Sequence, residues 1–301
     1  MVKIVNNYNE ANCITHNGTM HADEVFATAF LDLYKGSLKV YRVGEVDWNQ
    51  VTQDTLVYDI GRGEFDHHQS DAKKRDNGIT YCSLGLLWKE FGKDFLSING
   101  YENIDLLFDG IDKDLIEAID ADDNGVFPKI EANYKVKTLS NVIKLFNPSY
   151  DSLENESEQF LKAVEIAKSI FSEEIAYVNG KVHADIRVRE ILSNVNENDL
   201  YVILDEFLPY EDTILNNEKY NNLKFVAYPS NRGGYAIKTI PKSINDKTSR
   251  MLFPKEWMGL MNSDLENVSG IKGLRFCHNT GFLVTCNSLD TVKEVLHKLC
   301  Q

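Results

Sequence analysis

Strand-like and helix-like segments alternate through the first half of this 301-residue chain. The strand-like runs are residues 12–16, 39–43 and 54–60, and the helical runs are residues 22–35, 80–92 and 103–119. Strands that alternate with helices usually pair in parallel, with the helices packed on the sheet. The alternation therefore predicts an α/β domain built on a parallel sheet.

The second half of the chain has a different pattern. A long helix is predicted over residues 151–177, and the stretch "VNGK" at 178–181 is predicted to end it. Strand-like runs separated by turn signals follow, and a terminal helix begins after Ser288, a typical N-cap residue. We therefore predict two domains, residues 1–177 and a smaller mixed α/β domain of residues 178–301.

Charge and cysteine content limit the classes of protein that fit this chain. A net charge of −14 argues against broad electrostatic capture of nucleic acid or of an anionic membrane, but not against a nucleic acid held in a narrow metal site. The five cysteines are irregularly spaced, which predicts free thiols in a reducing compartment. Since we find no signal peptide, transit peptide or membrane-spanning run, we expect a cytoplasmic protein without a membrane partner.

Histidines and acidic residues gather where the predicted elements end. They come from a loop after the first strand, from the end of the 54–60 strand and the loop beyond it, and from the end of the 103–119 helix: His16, His21, Asp23, Glu24, Asp59, Asp66, His67, His68, Asp120, Asp122 and Asp123. In parallel sheets, ligands bind beyond the carboxyl ends of the strands. Imidazole and carboxylate without thiolate suit Mn²⁺, Zn²⁺, Fe or Co. The supply exceeds one tetrahedral site, so two metals that share a carboxylate fit better.

Each of these residues also has an ordinary structural explanation. Asp23 suits the first turn of a helix, Asp59 suits a turn, and the three aspartates of 120–123 suit a solvated loop. The adjacent pair His67–His68 after Asp66 is harder to explain in this way, because two neighbouring imidazoles need polar partners when buried. The combination of all three segments favours a metal centre.

The second domain offers candidates for contacts with a substrate. Arg232, in the stretch Asn231–Arg232–Gly233–Gly234, can hold a phosphate through two nitrogens, and the glycines allow close approach of the backbone. A hairpin turn with a solvated arginine is the alternative. His278 and Arg250 are further candidates for this role.

Six motifs of the chain, in order from residue 15 to residue 282, resemble one known family. They are "THNGTMHADEVFA", "VYDIGRGEFDHHQ", "AIDADDNGVF", "SNRGGYAI", "FPKEWMGL" and "FCHNTGF". This set resembles the melanocyte proliferating gene family, also called UPF0160 or the metal-dependent protein hydrolase family. That family belongs with the DHH phosphoesterases, beside RecJ-type exonucleases and family II inorganic pyrophosphatases.

The resemblance implies a DHH-type catalytic domain over residues 1–177, a substrate-binding domain over 178–301, an active site in the cleft between them, and a role for each motif residue. His16, His21 and Asp59 would hold one metal, and Asp23, Asp59, His67 and Asp123 would hold the other. Asp66 would orient His67, and His68 would contact the scissile phosphate. Asp123 is preferred to Asp120 because "DNGVF" resembles the family's Asp-x-Gly ending. Arg232 and His278 would bind substrate phosphate.

These implications lead to a predicted function. We expect a metal-dependent phosphodiesterase, specifically a 3′–5′ exonuclease on RNA or short oligonucleotides, with two divalent ions. Mn²⁺ is the expected ion, and Mg²⁺, Zn²⁺ and Co²⁺ are alternatives. Two other functions stay open: hydrolysis of a small phosphorylated molecule such as a dinucleotide or a pyrophosphate-like compound, and metal binding by a regulatory protein without turnover. Assembly into a homo-oligomer is also left open.

Overall fold

The computed structural model describes residues 1–300. Contacts between Cα atoms divide the chain into two compact units, Met1–Asn179 and a second unit from Gly180 onward. The first unit contains a parallel sheet and the second a mixed sheet, so the predicted α/β class is confirmed. The catalytic and substrate-binding roles of residues 1–177 and 178–301 stay predictions.

The sheet of the first unit has four parallel strands in the order β1-β3-β2-β4. They are β1 (Val2–Val5), β2 (Cys13–His16), β3 (Leu38–Val43) and β4 (Leu56–Val57), and helix α1 (Ala22–Lys35) connects β2 to β3. Ile14 pairs with Val57, and the backbone amide of Tyr58 donates to the Ile14 carbonyl over 3.0 Å. Because β2 and β4 are parallel neighbours, the residues that follow them emerge at the same edge of the sheet.

Further helices pack with α1 and complete the core of the first unit. They are α2 (Ser83–Ile98), α3 (Ile104–Ile111), α4 (Glu117–Asp123), α5 (Leu139–Ile143) and the start of α6 (Glu156–Leu192), with a π-helical turn (Asp112–Ile116) between α3 and α4. Phe30 of α1 makes ring contacts with Trp88 and Phe95 of α2 and with Phe171 of α6, at centroid distances of 5.4, 5.6 and 5.8 Å. This aromatic cluster fixes α1, whose first turn carries candidate ligands.

Two predicted helix ends are wrong, and each involves a glycine. Helix α2 continues past Gly92, where a Cβ would lie 2.8 Å from ring atoms of both Phe108 and Trp88, so this glycine permits close packing within the fold. Helix α6 continues through Gly180 to Leu192. A glycine inside a helix costs only about 1 kcal/mol of stability relative to alanine. A buried hydrophobic stripe that continues beyond the glycine contributes more than this, so the helix continues.

The second unit has a five-stranded sheet in the order β5-β6-β7-β9-β8. Its strands are β5 (Tyr201–Ile203), β6 (Phe225–Pro229), β7 (Tyr235–Thr239), β8 (Leu274–Cys277) and β9 (Leu283–Cys286), and its further helices are α7 (Glu211–Leu215), α8 (Asn262–Ser269) and α9 (Leu289–Leu299). Strands β5 and β6 are parallel, and the other pairs are antiparallel. Ser288 caps α9 as predicted, since its hydroxyl accepts from the Thr291 amide over 3.2 Å.

Short 3₁₀ helices lie in the connections: Tyr8–Glu10, Lys144–Phe146, Glu218–Tyr220 and Lys255–Trp257. All five cysteines lie in the described part of the chain and are free thiols, as predicted. Within residues 1–300, no helix combines the length and the hydrophobicity that a membrane crossing requires.

Candidate metal centre

The carboxyl ends of β2 and β4 bring a histidine and an aspartate together. His16 is the last residue of β2, and Asp59 lies two residues beyond β4. The Nε2 atom of His16 is 3.2 Å from Oδ2 of Asp59 and 3.4 Å from Oε1 of Glu24. The parallel pairing of neighbouring strands therefore places these side chains at one point, as the sequence predicted from strand ends.

Asp59 adopts a backbone conformation that is unusual for a residue with a side chain. Its φ angle is +54°, in the left-handed region, and its amide donates to the Phe65 carbonyl over 3.0 Å. Such a conformation costs about 1–3 kcal/mol and occurs often at functional sites. Only 3% of the residue is exposed, so this turn directs a buried carboxylate towards the histidines.

The first turn of α1 contributes two fully buried carboxylates. Asp23 accepts hydrogen bonds from the backbone amides of Ser83 and Leu84 at the start of α2, over 3.0 and 2.7 Å. The carboxylate of Glu24 accepts from the His21 amide over 2.9 Å. Burial, followed by the charges of Asp59 and Asp123, raises the pKa of Asp23 well above its usual value. The site thus concentrates negative charge that a cation would offset.

The loop after β4 orients its two histidines differently. Oδ1 of Asp66 lies 2.6 Å from Nδ1 of His68, and the same carboxylate accepts from the Arg62 amide over 2.6 Å. The predicted contact between Asp66 and His67 is therefore wrong, because the turn from Arg62 to Asp66 directs the carboxylate to the second histidine. His67 instead has its Nδ1 3.4 Å from Oδ1 of Asn124.

The other nitrogen of His67 faces three carboxylates. Its Nε2 lies 3.3 Å from Oδ1 of Asp59, 3.6 Å from Oδ2 of Asp23 and 3.2 Å from Oδ2 of Asp123. Asp123 is the last residue of α4, so the helix end delivers it to the same point as the strand ends.

Asp120, the alternative to Asp123 in the sequence, has other partners. It is fully buried, accepts from Nε of Arg75 over 2.7 Å, and accepts from the Cys82 amide over 2.9 Å. Arg75 also binds Asp112 through both terminal nitrogens. Asp120 therefore forms an ion pair with Arg75, whereas Asp123 faces His67.

The arrangement fits divalent metal ions. In the part of the chain that the structure describes, neither Oδ1 of Asp59 nor Nε2 of His67 has a hydrogen-bond partner, although both atoms are buried. Buried polar atoms rarely stay unsatisfied in folded proteins. Possible ligand atoms lie within 4.8 Å of one another in three groups: His16, His21 and Glu24; Asp59, His67 and His68; Asp23, His67 and Asp123.

The carboxylates also change the proton affinity of the histidines. Burial disfavours the charged imidazolium of His16, but the carboxylates of Asp59 and Glu24 outweigh burial and raise the pKa of His16 to about 11. Burial likewise opposes the charge on His67, yet Asp59, Asp23 and Asp123 raise its pKa to about 9. Protons on these imidazoles supply positive charge that a bound metal would supply in their place, since a ligating imidazole is neutral.

Glu24 is a candidate ligand that the sequence-based assignment of metal residues omitted. It is fully buried and belongs to the group with His16 and His21. The available signal was its position three residues after His21, in the same loop as the predicted ligands. That signal is ambiguous, because an acidic residue at this position also suits a helix start.

Most of the predicted substrate-binding residues of the second unit lie in turns between strands. Arg232 is exposed in the turn between β6 and β7, where Gly233 and Gly234 have φ angles of +80° and +68°. A Cβ on Gly234 would lie 2.2 Å from the Cys286 carbonyl oxygen, so that glycine is needed for strand packing. Neighbouring Asn231 is exposed as well.

The remaining two candidates have local partners. His278 lies in the turn between β8 and β9, with Nδ1 2.9 Å from the Thr280 hydroxyl. Nη1 of Arg250 donates to three backbone carbonyls, those of Tyr220, Asn221 and Leu223, which gives this arginine a structural role. The contacts of all these residues with a substrate stay predictions.

Comparison with known proteins identifies the family. Residues 12–299 match the profile of an uncharacterised protein family, UPF0160, and the chain belongs to this family. The resemblance seen in the sequence motifs is therefore confirmed.

Relatives occur in distant organisms, and three of them match over 80% or more of their length. The chain is 29% identical over 302 residues to the MYG1 protein of Dictyostelium discoideum, which covers 89% of this chain and 90% of that protein. It is 28% identical over 320 residues to a MYG1 protein of Saccharomyces cerevisiae, covering 93% of each. It is 27% identical over 305 residues to the MYG1 exonuclease of Homo sapiens, covering 89% of this chain and 80% of that protein. No solved structure matches the chain significantly.

Proposed function

We propose that this protein is a metal-dependent phosphodiesterase that acts as a 3′–5′ exonuclease on RNA or short oligonucleotides. The observation that carries the proposal is the convergence of His16, Asp23, Asp59, His67 and Asp123, with two buried ligand atoms left without hydrogen bonds among the described residues. Family membership supports it, since the human relative is named an exonuclease.

The residues divide between two divalent ions, for which Mn²⁺ is our first choice. His16, His21 and Asp59 would hold one ion, with Glu24 as a further ligand. Asp23, Asp59, His67 and Asp123 would hold the other ion, with Asp59 shared. Bound ions of this kind lower the pKa of water and stabilise negative charge on phosphoryl oxygens.

Side chains of both units are proposed to bind and orient the substrate. Asp66 accepts from Nδ1 of His68, which leaves Nε2 of that ring for a phosphate oxygen. In the second unit, Asn231, Arg232, Gly233, Gly234 and His278 are proposed as phosphate-binding residues. Arg250 is left out of this set because its Nη1 holds backbone carbonyls.

A second candidate function is hydrolysis of a small phosphorylated molecule. The net charge of −14 favours it, because proteins that bind long nucleic acids usually present a basic face. A small substrate would contact few phosphates, so its KM would depend weakly on salt.

The test is a denaturing-gel assay on single-stranded RNA with Mn²⁺. Wild type, His67→Ala and the control His183→Ala, which changes an exposed histidine of α6, are compared on 5′-labelled RNA. We expect a ladder of stepwise shortened products from wild type and from the control, and none from His67→Ala or after chelation.

The other outcomes distinguish the alternatives. If no variant cuts RNA but wild type hydrolyses a dinucleotide or pyrophosphate, the second candidate function replaces the first. If wild type binds Mn²⁺, as measured by mass spectrometry of metal content, but cleaves none of these substrates, the protein is a metal-binding regulator. Cleavage by His67→Ala at the wild-type rate would contradict the proposed metal centre.

A further inference from the structure

The cavity at the candidate metal centre extends beyond the proposed ligands. It has a volume of about 510 Å³ within the first unit, and Asp59, His67, His68 and Asp123 form one side of it. Another part of the wall consists of Phe127, Ser140, Asn141 and Lys144, for which the proposed metal chemistry has no use. A cavity of this size is large enough for a ligand as big as one nucleotide.

The part of this wall that carries Ser140, Asn141 and Lys144 is hydrogen-bonded at both ends to segments that carry proposed ligands. The Thr138 hydroxyl caps α5 and donates to Oδ2 of Asp122 over 3.0 Å, next to Asp123. The Asn147 side chain accepts from the Met20 amide over 2.7 Å and donates to the Met20 carbonyl over 2.9 Å, next to His21. The segment that carries Lys144 is therefore held in a defined position beside the metal centre.

The end of α4 sets the direction of the chain at Phe127. The amide of Gly125 donates to the Asp122 carbonyl over 3.2 Å, and the amide of Val126 donates to the Ala121 carbonyl over 2.8 Å. These two bonds, with Gly125 at a φ angle of +72°, form a Schellman motif. Phe127 follows directly and is 65% exposed, so an aromatic ring lines the cavity without being buried in the core.

Lys144 contributes a positively charged group to the same cavity. Among the described residues that line the cavity, it alone is a lysine or arginine, and its ammonium has no ion pair with any of them. The rest of the lining includes the carboxylates of Asp59, Asp122 and Asp123. A permanently charged ammonium on the wall of an acidic cavity suits an anion that extends away from the metal ions.

We propose that Phe127 and Lys144 form a subsite for one unpaired nucleotide next to the scissile phosphate. The base stacks on the Phe127 ring, the adjacent phosphate pairs with Lys144, and Ser140 and Asn141 offer hydrogen bonds to the sugar or base. The role of this subsite in cleavage rests on the proposed phosphodiesterase function. A base inside a duplex is stacked on both faces, so the subsite favours the unstacked bases of single strands.

The test measures binding and cleavage separately. Fluorescence anisotropy gives the affinity of the protein with Ca²⁺ in place of Mn²⁺ for a labelled single-stranded RNA and for the same RNA with abasic 3′-terminal residues. Cleavage of both RNAs is then followed with Mn²⁺. The variants are Phe127→Ala, Phe127→Trp and Lys144→Ala; the controls, Phe207→Ala and Lys129→Ala, change exposed residues that do not line this cavity.

We expect Phe127→Ala to weaken binding of intact RNA by about 5- to 140-fold, the range for loss of one base–aromatic stack, and to leave binding of abasic RNA unchanged. Phe127→Trp should restore the affinity. Lys144→Ala should reduce the slope of log affinity against log salt by about 0.7, the value for one phosphate on a single strand. The two controls should behave like wild type.

The outcomes separate this subsite from the proposed function. If wild type cleaves RNA and Phe127→Ala binds and cleaves intact and abasic RNA as wild type does, the subsite is wrong and the phosphodiesterase function stands. Equal weakening for both RNAs would also overturn the stacking role. If wild type cleaves no RNA but its binding depends on Phe127 in the way described, the subsite stands as a binding site and the proposed function fails.

Discussion

Asp66 and His68 show how a single side-chain contact prepares a residue for a role at the candidate metal centre. Burial of the Asp66 carboxyl raises its pKa, but the His68 ring and the Arg62 amide outweigh this effect, and the pKa lies below its usual value. The carboxylate is therefore ionised at neutral pH and accepts from Nδ1 of His68. This bond fixes the tautomer and leaves Nε2 available for a substrate oxygen.

The contact predicts the effect of Asp66→Asn. An amide accepts less strongly than a carboxylate and can turn its NH₂ group to the ring, which favours the wrong tautomer of His68. We expect kcat/KM for RNA cleavage to fall by about 10- to 100-fold, with unchanged Mn²⁺ content. Steady-state cleavage and metal analysis measure the two quantities.

The matched control is Asp71→Asn, which changes an exposed aspartate of the same loop. It should retain the activity of wild type. Full activity of Asp66→Asn would show that the orientation of His68 does not depend on this carboxylate.

At the residue scale, sequence reasoning predicted which side chains lie together more easily than it predicted the partner of each one. It grouped His16, Asp59 and His67 correctly, because residue type and strand ends are visible in the sequence. It assigned Asp66 to the wrong histidine, because the direction of a carboxylate two residues away depends on a turn that spacing does not specify.

At the scale of elements, two glycines inside helices differ in whether packing requires them. Gly180 lies in α6 with nothing within 4 Å of a built Cβ, so no packing requires it. Gly85 lies in α2, where a Cβ would be 2.4 Å from Oδ1 of Asp120. That carboxylate is held by Arg75 and by the Cys82 amide and cannot move aside without loss of these bonds.

The two glycines therefore predict opposite effects of alanine. Gly180→Ala should raise the free energy of unfolding by about 0.5–1 kcal/mol, because alanine has the higher helix propensity. Gly85→Ala should lower it by about 1–3 kcal/mol, because overpacking outweighs the propensity gain. Urea denaturation followed by circular dichroism measures both values, and each variant is the other's control. A loss of stability in Gly180→Ala would mean that α6 does not continue through this residue.

On the scale of the whole molecule, every candidate metal ligand lies in the unit Met1–Asn179. An ion that binds only the folded form stabilises the part of the chain that holds it. Mn²⁺ should therefore protect the first unit and leave the second, with its own sheet and core, unaffected.

Hydrogen exchange followed by mass spectrometry tests this expectation. With Mn²⁺ at 100 times its Kd, amides of β2, β4 and α1 that exchange by unfolding of the first unit should exchange about 100-fold more slowly. Amides of β6 to β9 should not change, and His67→Ala should remove the effect. Protection of the second unit alone would place the metal site elsewhere.

The sequence by itself determined the α/β class, several element bounds and most of the candidate ligands, with Glu24 as the omission. Helix α1 occupies the predicted residues 22–35, because its hydrophobic residues recur at helical spacing and glycine follows its last residue. The convergence of His16 and Asp59 also follows from local information, since parallel strands have their carboxyl ends at one edge.

Only the tertiary structure decided which partners each of several similar residues has. Asp120 and Asp123 are alike in sequence, and the long-range ion pair of Arg75 with Asp120 distinguishes them. Gly92 resembles a helix end, but the approach of Phe108 explains it. The physical reason is common to both cases: residue type and periodicity are local, whereas burial, ion pairing and close packing depend on segments that are distant in the chain.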